Sequence, residues 1–307
     1  MQSSLATLGH AQAARAVAVP EMVTEPTPLA AQLEFFRKRN ATLDGVFYDV
    51  SVVAPDEARA ISPWLAWEGS VLHVPPSEQG PLTVCDNLDH LATLEQAPSL
   101  TIAGVGSSAL GSAAFARNVA DATRAPVVAV VSGYGLSDLV FEAAGGWFLF
   151  GGANRTRGLV RSLSEIFRSD IRTPQGGTGS IELARSSRDT ETVIALLQDS
   201  RFAFTLLAGH SKGNLVLSEA LYALTEDKAP LPIPADTKIV TVSAAIVMPP
   251  AFTDIVDVMG EWDWFGALNS GPQIPIDVGV PRACHHTNRE VPYHLPVTET
   301  LAAILNG

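Results

Sequence analysis

The chain has 307 residues, a formal net charge of −12 and 47% hydrophobic residues, and only 17% of its residues are charged. Intrinsic disorder requires low hydrophobicity together with a high charge density, so this composition excludes a largely disordered chain. The acidic balance argues against nonspecific binding to nucleic acid or anionic lipid, because both depend on lysine and arginine.

The N-terminal region predicts a short extension ahead of one domain. Residues 1–30 are rich in alanine and contain three prolines, so we expect an arm followed by a single domain over 31–307. The first residues lack the basic start and apolar core of a signal peptide. No apolar run reaches the roughly 18 residues that span a membrane. These features predict a cytoplasmic protein, and they leave its oligomeric state open.

Apolar runs typical of strands then alternate with helix-forming segments. Two early strand-like runs, which we expect to be partly antiparallel, cover 46–53 and 70–76. Later strands are predicted over 99–106, 125–135, 202–208, 237–247, 255–264 and 273–284, and helices over 108–123, 190–200, 214–224 and 298–307. Continuous apolar strands that alternate with helices are typical of a parallel sheet covered on both faces. We therefore predict a mostly parallel, doubly wound α/β fold.

The interval 136–187 is too long for a plain connection between two of these elements. Long loops of this kind are often functional. We interpret the interval as an inserted lid or cap. Trp147 and Phe148 lie within it beside paired glycines and are candidates for lining a substrate pocket, with ordinary core packing as the alternative.

One short motif indicates chemistry. Residues 209–213 read Gly-His-Ser-Lys-Gly and fit the pattern G-x-S-x-G, directly after an apolar run and directly before a helix. This pattern is typical of a sharp turn that exposes a nucleophilic serine. Ser211 is therefore the predicted nucleophile, and a passive serine in a glycine-rich turn is the alternative.

A nucleophilic serine needs a base, and the base needs a carboxylate that orients it. On a strand–turn–helix scaffold of this kind, the acid is expected after the serine in the chain, and the histidine after the acid. Asp263 follows the apolar run that begins at 255 and is the predicted acid. Asp254, Asp257 and Glu261 are the alternatives.

Three histidines lie downstream of Asp263. His294 directly precedes the last predicted helix and is our choice for the base, with His286 as the alternative and His285 as a further one. Trp262, Trp264 and Phe265 flank the acid and are candidates for a pocket wall, although core packing explains them as well.

The oxyanion formed when a serine attacks a carbonyl group needs two N–H donors. One is expected from Lys212, the residue after the nucleophile, and the other from the loop after an earlier strand. Small residues over 104–108 occupy that loop, and Ser107 is the predicted donor, with Ser108 next.

Residues 208–214, Ala-Gly-His-Ser-Lys-Gly-Asn, resemble the α/β-hydrolase superfamily, and within it the class 3 lipases and their bacterial lipase-like relatives. The resemblance covers about residues 99–307. It implies an eight-stranded sheet, a Ser-Asp-His triad, no metal or cofactor, and hydrolysis of small or lipidic carboxylic esters. Lys212 stands where the family more usually has leucine, which leaves esterase and thioesterase activity open beside lipase activity.

Two other functions compete with hydrolysis. Residues 104–109 fit the G-x-G-x-x-A pattern of dinucleotide binding, but the next predicted strand ends without the acidic residue that would bind the ribose. A catalytically inactive hydrolase-like binding protein is the second alternative. The positive mean hydropathy is compatible with contact at an apolar surface or granule.

Overall fold

The computed structural model describes residues 42–61, 68–104, 108–132, 188–226 and 232–307. The strands are β1 (Val71–Val74), β2 (Thr83–Cys85), β3 (Ser99–Ile102), β4 (Val127–Val130), β5 (Leu206–His210), β6 (Lys238–Val242), β7 (Ile255–Gly260) and β8 (Val278–Val280). The helices are α1 (Pro55–Ile61), α2 (Leu88–Leu91), α3 (Ala109–Thr123), α4 (Arg188–Gln198), α5 (Lys212–Glu226), α6 (Trp264–Leu268) and α7 (Val297–Asn306). No helix in these ranges is long and apolar enough to cross a membrane. The predicted arm over 1–30 and the predicted lid over 136–187 lie outside them.

The eight strands form one mixed sheet in the order β2-β1-β4-β3-β5-β6-β7-β8. Strand β1 is antiparallel to both of its neighbours. Every other pair is parallel. This confirms the predicted mostly parallel α/β architecture, with antiparallel pairing confined to the two pairs that β1 makes.

Helices cover both faces of the sheet, which explains why strand β4 is apolar at every position. Along β4, Val127 belongs to the hydrophobic cluster beneath α3 and α7, whereas Val128 belongs to the cluster beneath α4 and α5. Successive side chains of a strand point to opposite faces, so a strand covered on both faces favours apolar residues on each of them.

The predicted strand over 46–53 is wrong. Residues 42–47 are helical, and a 3₁₀ helix follows at Val50–Val52. The Asp49 carboxylate accepts the Ser51 N–H at 3.2 Å and caps this turn. The alternating polar and apolar residues of this stretch imitate a strand, but the aspartate satisfies the backbone locally instead.

Candidate active site

The turn between β5 and α5 holds Ser211 in a strained conformation. Ser211 has a φ of +53°, in the left-handed region that a residue with a side chain rarely adopts. A Cβ added at Gly209 would overlap the Asn214 side chain. A Cβ added at Gly213 would overlap the carbonyl oxygen of Ile102. Both glycines of the motif are therefore required, because other parts of the same chain lie too close to leave room for a Cβ.

Hydrogen bonds attach this turn to the end of β6. The Ser211 N–H donates to the carbonyl oxygen of Val242 at 2.8 Å. The Asn214 amide donates to the carbonyl oxygens of Val242 and Ala244, at 3.0 and 2.8 Å. Ser211 consequently has a fixed position at the carboxyl edge of the sheet, where the parallel strands β5 to β8 all end.

Ser211, His285 and Asp263 form one hydrogen-bonded chain. His285 Nε2 lies 3.0 Å from Ser211 Oγ. His285 Nδ1 lies 2.9 and 3.0 Å from the two carboxylate oxygens of Asp263. The three residues are 6%, 7% and 3% exposed, so water competes little with these bonds. Because the carboxylate can only accept, Nδ1 carries the proton and Nε2 is left to accept one from the serine.

Asp263 lies three residues beyond β7 and also caps α6. Its Oδ1 accepts the Gly266 N–H at 2.6 Å, and the same carboxylate accepts the hydrogen bond from His285 Nδ1. The N–H group at the start of α6 thus sets the direction of the carboxylate.

The other acids considered from the sequence have different partners. Asp257 lies within β7 and accepts the Thr241 hydroxyl, and burial raises its pKa to about 6. Asp254 pairs with Lys238 at 2.8 Å. The Glu261 carboxylate accepts a backbone N–H of the turn after β8 at 3.2 Å.

The imidazole beside Ser211 belongs to His285, which corrects the prediction of His294 and its alternative His286. Burial and the neighbouring His294 lower the pKa of His286, and within the described residues its Nδ1 is buried without a hydrogen-bond partner. The backbone N–H of Leu295 donates to the carbonyl oxygen of His286 at 2.8 Å, so the loop doubles back. The prediction relied on how close each histidine lies to the last helix along the chain. In the folded loop, it is His285, the first of the three, that lies beside Ser211.

Aromatic rings surround the His285 imidazole. The Phe265 ring packs edge-on at 4.8 Å between centroids, and the Phe47 ring lies at 5.9 Å. Trp262 and Trp264 are 47% and 66% exposed, so they lie at the surface beside the acid and form no buried wall. Phe265 was expected from the sequence together with these tryptophans, and of the three it is the one whose ring packs against the His285 imidazole. Trp147 and Phe148 lie outside the described residues.

Of the three residues considered as oxyanion donors, the structure describes Lys212 and Ser108 but not Ser107. Lys212 is the first residue of α5, so its N–H lies at the helix N-terminus next to Ser211. The backbone of Gly104, just after β3, lies close to both Ser211 and Lys212. A Cβ added at Gly104 would be 2.8 Å from Ser211 Cβ and 2.9 Å from Lys212 N. Ser107 lies outside the described residues. Ser108 caps α3, where its hydroxyl accepts the Leu110 N–H.

Neither cysteine forms a disulfide, since Cys85 and Cys284 are both free. Within the described ranges, no group of three or more His, Cys, Asp and Glu side chains is arranged to hold a metal ion. No family model, curated protein or solved structure matches this chain. Function therefore has to be inferred from the residues and their geometry.

Proposed function

We propose that this protein is a serine hydrolase that cleaves carboxylic esters. The observation that carries the proposal is the buried chain from Asp263 through His285 to Ser211, with the serine at a φ of +53°. A serine on a strained turn, a histidine within reach of its oxygen and a carboxylate behind the histidine are the three parts of nucleophilic acyl transfer.

The reaction begins when Ser211 Oγ attacks the ester carbonyl and gives its proton to His285 Nε2. Asp263 holds the imidazole in the required tautomer and stabilises the imidazolium that forms. The bond to the alcohol then breaks as His285 donates that proton to the leaving oxygen. A water molecule, deprotonated by His285, attacks the acyl-serine and releases the acid and free Ser211.

The tetrahedral intermediates carry a negative oxygen that needs donors. The Lys212 N–H at the start of α5 is one donor in this proposal, and the helix dipole adds to its effect. The second donor is assigned to Ser107, on the basis of its position in the chain alone.

The order of the elements supports an α/β-hydrolase scaffold for this site. The nucleophile follows β5, the acid follows β7 and the base follows β8, which is the chain order Ser, Asp, His of that superfamily. The exposed indoles of Trp262 and Trp264 near the acid favour an apolar acyl or alcohol group. Dinucleotide binding is less well supported, because the Gly104 N–H already donates to the Tyr48 hydroxyl at 2.6 Å.

A fluorophosphonate probe tests the proposal directly, because it reacts covalently with an activated serine. We expect labelling of the purified protein at Ser211 alone, mapped by mass spectrometry, and no labelling of Ser211→Ala. Hydrolysis of p-nitrophenyl esters by that variant should fall by roughly 10⁶-fold, as in other triads. The matched control is Ser218→Ala on the same helix, whose hydroxyl donates to the carbonyl oxygen of Val247 at 2.7 Å. That variant should label and turn over as the wild type does.

Two results would overturn the proposal. One is wild-type turnover in Ser211→Ala. The other is the absence of labelling and of hydrolysis across esters of increasing acyl length, for a protein shown to be folded by circular dichroism. The second result would favour an inactive binding protein.

A further inference from the structure

A short N-terminal segment, residues 44–48, contacts both sides of the candidate site. On one side, Asp44 Oδ2 accepts the N–H groups of Ser108 and Gly111 at 3.0 and 3.1 Å, as well as the Ser108 hydroxyl. The Tyr48 hydroxyl accepts the Gly104 N–H at 2.6 Å. Residues 104 and 108, which flank the stretch expected to bind the oxyanion, are therefore both attached to this segment.

On the other side, the same segment holds the chain directly after His285. The carbonyl oxygen of Phe47 accepts the Thr287 N–H at 2.7 Å. The carbonyl oxygen of Gly45 accepts the Asn288 side-chain amide at 2.8 Å. One segment thus bonds to the base loop and to the chain beside the nucleophile.

The Tyr48 hydroxyl also continues a buried hydrogen-bonded chain to His285. His210 Nε2 lies 3.0 Å from the carbonyl oxygen of His285, and His210 Nδ1 lies 2.9 Å from the Tyr48 hydroxyl. A carbonyl oxygen only accepts, so His210 carries its proton on Nε2 and its Nδ1 accepts from Tyr48. Burial lowers the pKa of His210 to about 3, so the ring stays neutral and this arrangement persists at ordinary pH.

We propose that residues 44–48 are a positioning segment for catalysis, in which the Tyr48 hydroxyl and His210 together set the distance between the Gly104 backbone and the backbone of His285. The inference rests on the proposed hydrolase function. Tyr48 is a positioning residue, since it acts through Gly104 and His210. Because Tyr48 takes up the Gly104 N–H, that group is not an oxyanion donor.

The test is Tyr48→Phe, which keeps the buried ring but leaves the Gly104 N–H and His210 Nδ1 without their partner. We expect kcat and the rate of fluorophosphonate labelling at Ser211 to fall by about 10- to 100-fold, with KM changed by less than about threefold. A change confined to kcat is expected because the reacting groups are displaced while the surface that binds substrate is retained. The matched control is Tyr222→Phe near the end of α5, whose hydroxyl donates to the carbonyl oxygen of Met248 at 3.4 Å. It should retain the wild-type rates.

A second pair of variants separates positioning from general stability. In His210→Gln the side-chain amide can still donate to the carbonyl oxygen of His285, whereas His210→Ala removes that donor. We expect the glutamine variant to label at least about tenfold faster than the alanine variant, at temperatures where thermal unfolding curves show both to be folded.

The outcomes are distinguishable from failure of the proposed function. If the wild type is not labelled at Ser211, the hydrolase proposal fails, and this inference fails with it. If the wild type is labelled and Tyr48→Phe is labelled equally fast, only the positioning role is refuted. If Tyr48→Phe does not fold, equal labelling rates for the two His210 variants refute that role instead.

Discussion

The His285 imidazole has a defined neighbour at each position that matters for proton transfer. Asp263 accepts from Nδ1, Ser211 lies at Nε2, and Phe265 packs edge-on against the ring. Its carbonyl oxygen accepts from His210, so the backbone is held as well as the side chain. In the proposed reaction, a base restrained in this way loses little entropy on reaching the transition state.

Replacing the three downstream histidines one at a time tests this assignment. His285→Ala should lower kcat for p-nitrophenyl esters by roughly 10⁴- to 10⁶-fold, because Ser211 then has no proton acceptor. His294→Ala, on the same loop, is the matched control and should keep kcat within about threefold of the wild type. Steady-state kinetics measure both. A large loss in His294→Ala with an active His285→Ala would refute the assignment and restore the expectation from sequence.

At the scale of the element, α6 is a short helix that orients the Asp263 carboxylate. Its N-cap is Asp263, and Gly266 lies directly against that carboxylate. A Cβ added at Gly266 would lie 2.6 Å from Asp263 Oδ2 and would also overlap the carbonyl oxygen of Ser243. The first turn of α6 therefore has no room for a side chain at this position.

Gly266→Ala should displace the Asp263 carboxylate from His285. We expect kcat to fall by about 10- to 100-fold and the free energy of unfolding to drop by about 1–3 kcal/mol, as for other overpacked sites. The control is Gly279→Ala in β8, where a Cβ would meet nothing within 4 Å. Kinetics and urea unfolding give the two quantities. Unchanged kcat in Gly266→Ala would mean that the position of the carboxylate is not critical.

At the scale of the whole molecule, two buried groups next to the site give the folding free energy opposite dependences on pH. Burial raises the pKa of Asp44 from 3.8 to about 7, so the folded state binds that proton more tightly than the unfolded chain does. The contribution of Asp44 to the free energy of unfolding is complete below pH 3.8 and is lost as the pH rises towards 7. His210, with its pKa lowered from 6.5 to about 3, contributes stability that is present above 6.5 and lost as pH falls.

Asp44→Asn isolates one of these contributions. The amide oxygen can replace Oδ2, which accepts from Ser108 and Gly111, and the amide nitrogen can replace Oδ1, which is buried without a partner in the described part of the chain. Between about pH 4 and about pH 8, the variant should gain stability relative to the wild type by up to about 4 kcal/mol. Urea unfolding across that range measures the difference. A constant difference would show that Asp44 does not titrate with a raised pKa.

The parts of the fold that could be predicted are those specified by neighbouring residues. The helix over 108–123 was expected from its local pattern, and the structure has α3 from Ala109 with Ser108 as its cap. The strained turn at Ser211 was expected because Gly209 and Gly213 flank it within five residues. Helices α1, α2 and α6 were missed, because helices of four to seven residues are too short to show a helical period, and strand β2 was missed as well.

The sequence by itself determined the α/β class, the strained turn at Ser211, and the choice of Asp263, whose carboxylate lies against the histidine beside that serine. Only the tertiary structure decided that His285 rather than His294 meets Ser211, and that Tyr48 joins the site from far along the chain. The first set depends on local patterns of burial and backbone conformation. The second depends on how distant loops pack at the carboxyl edge of the sheet. Three histidines lie on one loop there, and the folded path of that loop brings only the His285 ring to Ser211.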